Sequence, residues 1–247
     1  MVHKVCALIP VYNNYMTIAG AIEAVLQRLD FVIVVDDGSD DGSELIVEDL
    51  KKHYPDKLEV LHHAMNTGKG TAVQSGLQRA RDLGFSHTLQ VDADGQHDLA
   101  DVPKFLQAIE TYPDAMLLGS PIFDHGIPAV RKYGRKLTQL MIALEMGCWD
   151  VPDAMCGFRV YPVPAICALG KMDAQMSFDP EVMIRAYWAG IELHKVPTRV
   201  RYLSPEEGGI SHFRMVNDNV RHTWIHVRLL LQAPFRLLMR FIRLHDG

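Results

Sequence analysis

Phe31-Val32-Ile33-Val34-Val35-Asp36-Asp37-Gly38-Ser39 runs through five apolar residues and then stops on two carboxylates, a glycine and a serine. An apolar run that does not alternate with polar residues reads as a strand buried on both faces. Such strands belong to parallel sheets covered by helices on each side. The flanking segments repeat the theme. Val5 to Pro10 reads as a buried strand before it, Leu58 to His62 as a short strand after it, and His87 to Val91 as a fourth. Between them the sequence predicts helices over Tyr15 to Arg28, Glu44 to His53 and Gly70 to Leu83. In the first of these, Ile18, Ile22, Val25 and Leu29 recur at spacings of three and four. Repeated strand–helix alternation predicts an α/β fold with a mostly parallel central sheet covered by helices on both faces.

Ligands of such sheets bind outside the carboxyl ends of the strands. Three polar clusters fall there: Tyr12-Asn13-Asn14, Asp36 to Asp41, and Asp92-Ala93-Asp94-Gly95-Gln96-His97. Further along, the sequence predicts helices over Leu99 to Thr111, Lys136 to Met146 and Pro180 to Ala189, and strands over Ala115 to Gly119 and Glu192 to Tyr202. Pro121 to Arg135, rich in Pro, Gly and basic residues, reads as a mobile loop, and Ser204 to Gly209 as a flexible one. No repeat and no obvious linker divides the chain.

Bulk properties narrow the function classes. The 247 residues, 48% apolar and 22% charged, suit a globular protein with a sizeable core. A net charge of -5 argues against a nucleic-acid partner. The four cysteines form no C-x-x-C pair, which disfavours zinc, and Cys6 reads as a small core residue. With no signal-peptide pattern and no apolar stretch of membrane-spanning length, the expected location is the cytoplasm.

Asp92 and Asp94, one residue apart at a strand's end, are expected to point the same way. Such a pair, with Gln96, offers oxygen ligands to Mg²⁺ or Mn²⁺ bridging a diphosphate. The alternative is an acidic turn. Asn66-Thr67-Gly68-Lys69-Gly70 precedes a helix. Its glycines can admit a ligand to the backbone, the helix start favours anions, and Lys69 adds charge. The alternative there is a helix-start turn with a solvated lysine. His222 and His226, four apart without an intervening H-E-x-x-H glutamate, read as surface or packing residues.

Taken in order, Pro10-Val11-Tyr12-Asn13-Asn14, Val35 to Asp41, Asn66 to Ala72 and Asp92 to His97 resemble glycosyltransferase family 2. They are most similar to its dolichyl- or polyprenyl-phosphate mannosyltransferase branch. Asp153 to Arg159 looks like that family's D-x-x-[SC]-G-F-R element, and Phe178 to Ala186 with His194 to Pro197 is also similar. The resemblance implies a GT-A fold with a nucleotide-binding half (1–98) and an acceptor half (99–214). It implies an inverting transfer from a nucleotide-sugar, UDP- or GDP-linked, to a lipid-phosphate or lipid-like acceptor. By the same resemblance, Pro10, Tyr12 and Asn14 line the nucleotide pocket, and Asp36 and Asp37 hold the base and ribose. Gly68, Lys69, Asp92 and Arg131 add donor contacts, a solvated surface arginine being the alternative for Arg131. Asp92, Asp94 and Gln96 hold Mg²⁺ or Mn²⁺, and Arg214 closes over the diphosphate from a loop that starts near Ser204. Asn14 stands where such enzymes usually carry Glu, and His97-Asp98-Leu99 replaces a His-Pro-Pro. If the acceptor is a hydroxyl, a carboxylate must take its proton. Asp153, Asp179 and Glu181 are the candidates, although Glu181 also suits a charge at a helix start.

From Met215 to His245 apolar residues recur at helical spacing, and Pro234 is expected to break or restart the helix. Beyond it, Leu237, Leu238, Phe241 and Leu244 are expected to form one stripe and Arg236, Arg240 and Arg243 another. This tail, 215–247, reads as a basic amphipathic helix on an anionic membrane surface, peripheral at the inner face. A helix packed on the domain or on a second copy is the alternative. Two other functions compete: a nucleotidyltransferase, whose glycine-rich loop after the first strand is missing here, and a non-catalytic nucleotide-sugar binder.

Overall fold

In a computed structural model, the structure describes residues 3–123, 129–200 and 215–245; side chains at 123–136, 215–220 and 243–245 lie outside that description. Among the described residues one seven-stranded sheet forms the centre, in the order β3-β2-β1-β4-β6-β5-β7. The strands are β1 (Val5–Val11), β2 (Val32–Asp36), β3 (Leu58–His62), β4 (His87–Gln90), β5 (Met116–Phe123), β6 (Arg159–Pro162) and β7 (Leu193–Val200). Pairing is parallel throughout except around β6, which runs antiparallel to both β4 and β5.

The continuous apolar strands are buried on both faces, as their composition predicts. On β1, Cys6 and Leu8 join one core while Ala7, Ile9 and Val11 join the other. The second core is closed by α1 (Ile18–Leu26), α2 (Ser43–His53) and α4 (Val102–Thr111). The first is closed by α3 (Lys69–Asp82), α5 (Ala129–Met146), α6 (Val163–Cys167), α7 (Phe178–Trp188) and α8 (Met215–His245).

Three expectations are corrected. The segment Pro121 to Arg135 is not one loop, since β5 runs to Phe123 and α5 begins at Ala129. Pro121 is tolerated inside β5 because β6 pairs only with Leu117 and Leu118, so among the described residues β7 is the strand paired with Pro121. Pro234 does not interrupt α8, which is continuous for 31 residues. Contacts on both sides hold it: Leu229 and Ala233 are buried before the proline, and after it Arg240 lies over the Tyr187 ring at 3.9 Å. Finally, β4 ends at Gln90, so Asp92 and Asp94 sit in the turn that follows the strand rather than on it.

Candidate active site

The carboxyl ends of β1, β2 and β4 gather the three polar clusters on one rim. Asp36 and Asp37 are both 2% exposed, and intrachain partners take up their oxygens. Asp37 Oδ1 accepts from the Thr67 N–H (3.0 Å) and the Thr67 hydroxyl (2.7 Å), and faces His63 Nδ1 at 2.7 Å. Its Oδ2 accepts from the Gly68 N–H at 2.7 Å. Asp37 thus ties the turn before α3 to the end of β2. Asp36 accepts from the Ser39 N–H at 3.1 Å and meets His62 Nδ1 at 3.0 Å.

His62 lies between two carboxylates, with Glu48 Oε1 2.8 Å from its Nε2. Each ring nitrogen must carry a proton for both hydrogen bonds to form. Burial opposes that cation, but Glu48 and Asp36 outweigh it and raise the His62 pKa above its ordinary 6.5. A base raised on folding contributes stability that is complete below pH 6.5 and is lost as pH climbs through the raised value. We therefore expect His62 to titrate above 6.5 by NMR and His62→Gln to flatten the stability profile above that pH. A midpoint below 6.5 would refute the bridging cation.

The turn Asn66 to Gly70 packs closely on a second segment of the chain. A Cβ on Gly68 would lie 2.4 Å from Ala174 O, and one on Gly70 would lie 2.3 Å from Asp173 O. On the side where a Cβ would stand, these glycines admit the protein's own segment 173–175. Thr71 N–H donates to Ala174 O at 3.0 Å, and the Gln175 amide donates to Thr67 O at 3.0 Å. Lys69 is not solvated. Its ammonium lies 2.9 Å from Asp92 Oδ1 and 3.3 Å from Asp179 Oδ2. Burial opposes its charge, yet Asp179 and Asp92 hold it protonated far above the ordinary lysine range.

Asp179 continues the chain of charges to Arg159, which is fully buried. The guanidinium lies 3.5 Å from Asp179 Oδ1 and donates to the carbonyls of Ala154, Cys156 and Asp179. Asp179 Oδ1 itself accepts no hydrogen bond among the described residues. On the other side, Asp92 accepts from the Gln90 amide at 3.2 Å, and Gln90 Oε1 accepts from Tyr161 at 2.8 Å. His97 Nε2 stands 3.6 Å from Asp92 Oδ2, its ring stacked on Phe158. A Cβ on Gly157 would lie 2.0 Å from Asp92 Oδ2, so only glycine leaves room for that carboxylate. Burial favours the neutral acid, but Lys69 and His97 hold Asp92 well below the usual carboxylate range.

Asp94 behaves in the opposite way. Burial and the neighbouring Asp92 charge raise its pKa above the ordinary value. Its Oδ1 accepts from the Gln96 N–H at 3.0 Å. Asp92 has its counter-charge in Lys69, whereas Asp94 has a like charge beside it. A cation relieves that imbalance. Among the described residues no group of three His, Cys, Asp or Glu could hold a metal. A site of one or two carboxylates completed by phosphate oxygens is the usual arrangement for Mg²⁺, so the residues present fit such an ion.

The other expected residues divide. Pro10, Tyr12 and the buried Asn14 end β1 on this rim, and the Asn14 N–H donates to Ser43 Oγ at 3.0 Å. Asp153 accepts from the Met155 N–H at 2.8 Å. Glu181 does not join the cluster. Two residues beyond Asp179 on α7, it projects from a different side of the helix. There it accepts from the Asp173 N–H (2.7 Å), Arg185 (3.2 Å) and Arg228 (2.6 Å), latching α7 to α8. Arg214 lies outside the described residues, as do the Arg131 side chain and the loop from Ser204. Sequence analysis assigned no role to His62 and His63, which in the structure pair with Asp36 and Asp37. The signal was available in the parallel register, which sets Asp36 beside His62.

The description Glycosyl transferase family 2 matches residues 6–167. The chain is 27% identical over 213 residues to the UDP-N-acetylglucosamine–dolichyl-phosphate N-acetylglucosaminyltransferase of Methanococcus voltae, covering 79% of this chain and 84% of that one. It is 26% identical over 234 residues to the polyprenol monophosphomannose synthase of Mycolicibacterium smegmatis, covering 91% and 85%. Glucosyl-3-phosphoglycerate synthase from Mycobacterium tuberculosis, crystallised with Mn²⁺, UDP and glucosyl-3-phosphoglycerate, is similar in structure. The TM-score is 0.65 over 96% of this chain and 80% of that one, at 17% identity, a likeness of fold.

Proposed function

We propose that this chain, which belongs to glycosyl transferase family 2, moves a sugar from a UDP- or GDP-linked donor to a lipid phosphate, with inversion and with the help of a divalent cation. It is a glycosyltransferase of the GT-A fold. The observation that carries the finer reading is the unequal Asp92 and Asp94 pair, one carboxylate neutralised by Lys69 and the other driven up by its neighbour. Asp94, with Asp92 and Gln96 beside it, would hold Mg²⁺ or Mn²⁺ against the donor diphosphate. Such a cation neutralises the charge that develops on the leaving group.

The chain's own residues do the rest. Pro10, Tyr12 and Asn14 flank the nucleoside, while Asp36 and Asp37 brace the loops around it. Lys69 keeps Asp92 ionised and in place. A lipid phosphate brings an oxygen that is already anionic. It attacks the anomeric carbon from the face opposite the diphosphate, the new C–O bond forming as the old one breaks, and no proton need be removed. The carboxylates suit that acceptor, because Asp179 is committed to Lys69 and Arg159 and Glu181 to the α7–α8 latch. The names of the sequence relatives point the same way.

The test is transfer from UDP-N-acetylglucosamine, UDP-glucose and GDP-mannose to a polyprenyl phosphate, with Mn²⁺ or with EDTA. We expect a lipid-extractable product from one donor, lost in EDTA. Transfer only to a water-soluble hydroxyl acceptor would overturn the acceptor reading, and full activity in EDTA the cation.

A further inference from the structure

We propose that α8 lies on a lipid surface through an apolar stripe that faces away from the body of the protein, with its arginines as a flank rather than as the contact. Trp224, Val227, Leu231, Phe235, Leu238 and Ile242 are all exposed, from 41% to 79%. Their spacings of three and four place them, at about 100° per residue, within an arc of about 80°. Ile225, His226, Leu229 and Ala233 are buried on the opposite side, against the protein. The helix therefore has two apolar faces, and only one is used by the fold.

The charges on α8 identify the occupant. From Asn219 to His245 there is no Asp or Glu, while Arg221, Arg228, Arg236, Arg240 and Arg243 punctuate the helix. Arg228 is tied to Glu181, and Arg240 packs over Tyr187 and donates to its carbonyl. Of the expected stripe, Arg240 is thus turned to the body and Arg236 is exposed, while the Arg243 side chain lies outside the described residues. Arg221 and Arg236 remain exposed beside the apolar stripe. A second copy docked on the same face would meet, beyond Asp218 near the start of α8, no carboxylate on the helix to pair with these arginines, since a two-fold interface brings like patches together. An anionic lipid surface supplies both the negative charge and the apolar phase. Among the described residues no helix is long and apolar enough to cross a membrane, so α8 lies along the interface. Trp224 and Phe235 are residues suited to that depth. Exposed Leu137, Leu140 and Leu144 extend the same character onto α5, which packs against α8.

The experiment is co-sedimentation of the full chain with vesicles of phosphatidylcholine containing about one third phosphatidylglycerol, without donor. The variants are Leu231→Glu with Phe235→Glu, and Arg221→Ala with Arg236→Ala. All four residues are exposed, and thermal unfolding and nucleotide calorimetry check that fold and donor site are unchanged. That second readout separates this inference from the donor reading. We expect the glutamate pair to lower partitioning at least tenfold at both low and high salt. The alanine pair should weaken it only at low salt. Equal partitioning of the glutamate pair and the parent, or no binding by the parent, overturns the proposal. So does a parent dimer in solution that the glutamate pair converts to monomer.

Discussion

Asp94→Asn is expected to lower sugar transfer by about 100- to 10,000-fold while leaving the protein folded. A cation at a leaving diphosphate supplies several kcal/mol of charge stabilisation, and each ~1.4 kcal/mol is a factor of ten in rate. Asparagine keeps the volume and an oxygen for the Gln96 N–H, so the change removes charge alone. The stability effect has a definite sign. Asp94 is raised by folding from its ordinary 3.8, so the folded state holds its proton more tightly than the unfolded chain. Stability then falls as pH rises from 3.8 through the raised value, and at neutral pH the ionised group burdens the fold. Without a cation, Asp94→Asn should melt no lower than the parent, and Mn²⁺ should stabilise the parent more than the variant. Calorimetry of UDP and GDP with Mn²⁺ gives the second readout. Undiminished nucleotide binding by the variant would remove Asp94 from the cation site.

Arg159→Leu is expected to have the largest effect on stability, about 3–5 kcal/mol, because it takes from buried Asp179 one of its two cations and strips three interior carbonyls of their donor. The guanidinium is fully buried and serves the carbonyls of Ala154, Cys156 and Asp179 together with the Asp179 carboxylate. Leucine fills part of the space and satisfies none of these acceptors. For a chain of this size that loss lowers the melting temperature by about 6–20 °C. Removing both charges, with Asp179→Asn added, should recover part of the loss. A cost below about 1 kcal/mol in thermal or urea unfolding would mean that water takes over the guanidinium's partners.

The fold was legible because its central strands are apolar without interruption. Val32 to Val35 cannot be buried on one face alone, and that requirement dictates helices on both sides. The reversed strand β6 was not legible, since Arg159-Val160-Tyr161-Pro162 is short and begins with an arginine, a residue that sequence patterns place at the surface. In the site, Asp92 and Asp94 could be read, but their inequality could not. It arises from burial and from Lys69, which comes from another element and meets Asp92 only in the folded chain. Glu181 was misplaced for a related reason: charge and position suggest chemistry, and only the arrival of Arg228 from α8 shows a latch. Pro234 was read by its local rule, which tertiary packing overrode.

The Lys69 to Asp179 bridge spans 110 positions along the chain, and the Gln175 clasp on Thr67 spans 108. Contacts of that separation carry the greatest loop-closure entropy and form late when a chain folds. The strands from β1 to β4 can pair early, yet the Lys69–Asp179 bridge beside Asp92 exists only once α7 has docked. Competence to hold a donor is thus a report on the completion of folding. During refolding, recovery of nucleotide affinity should lag behind recovery of helical circular dichroism.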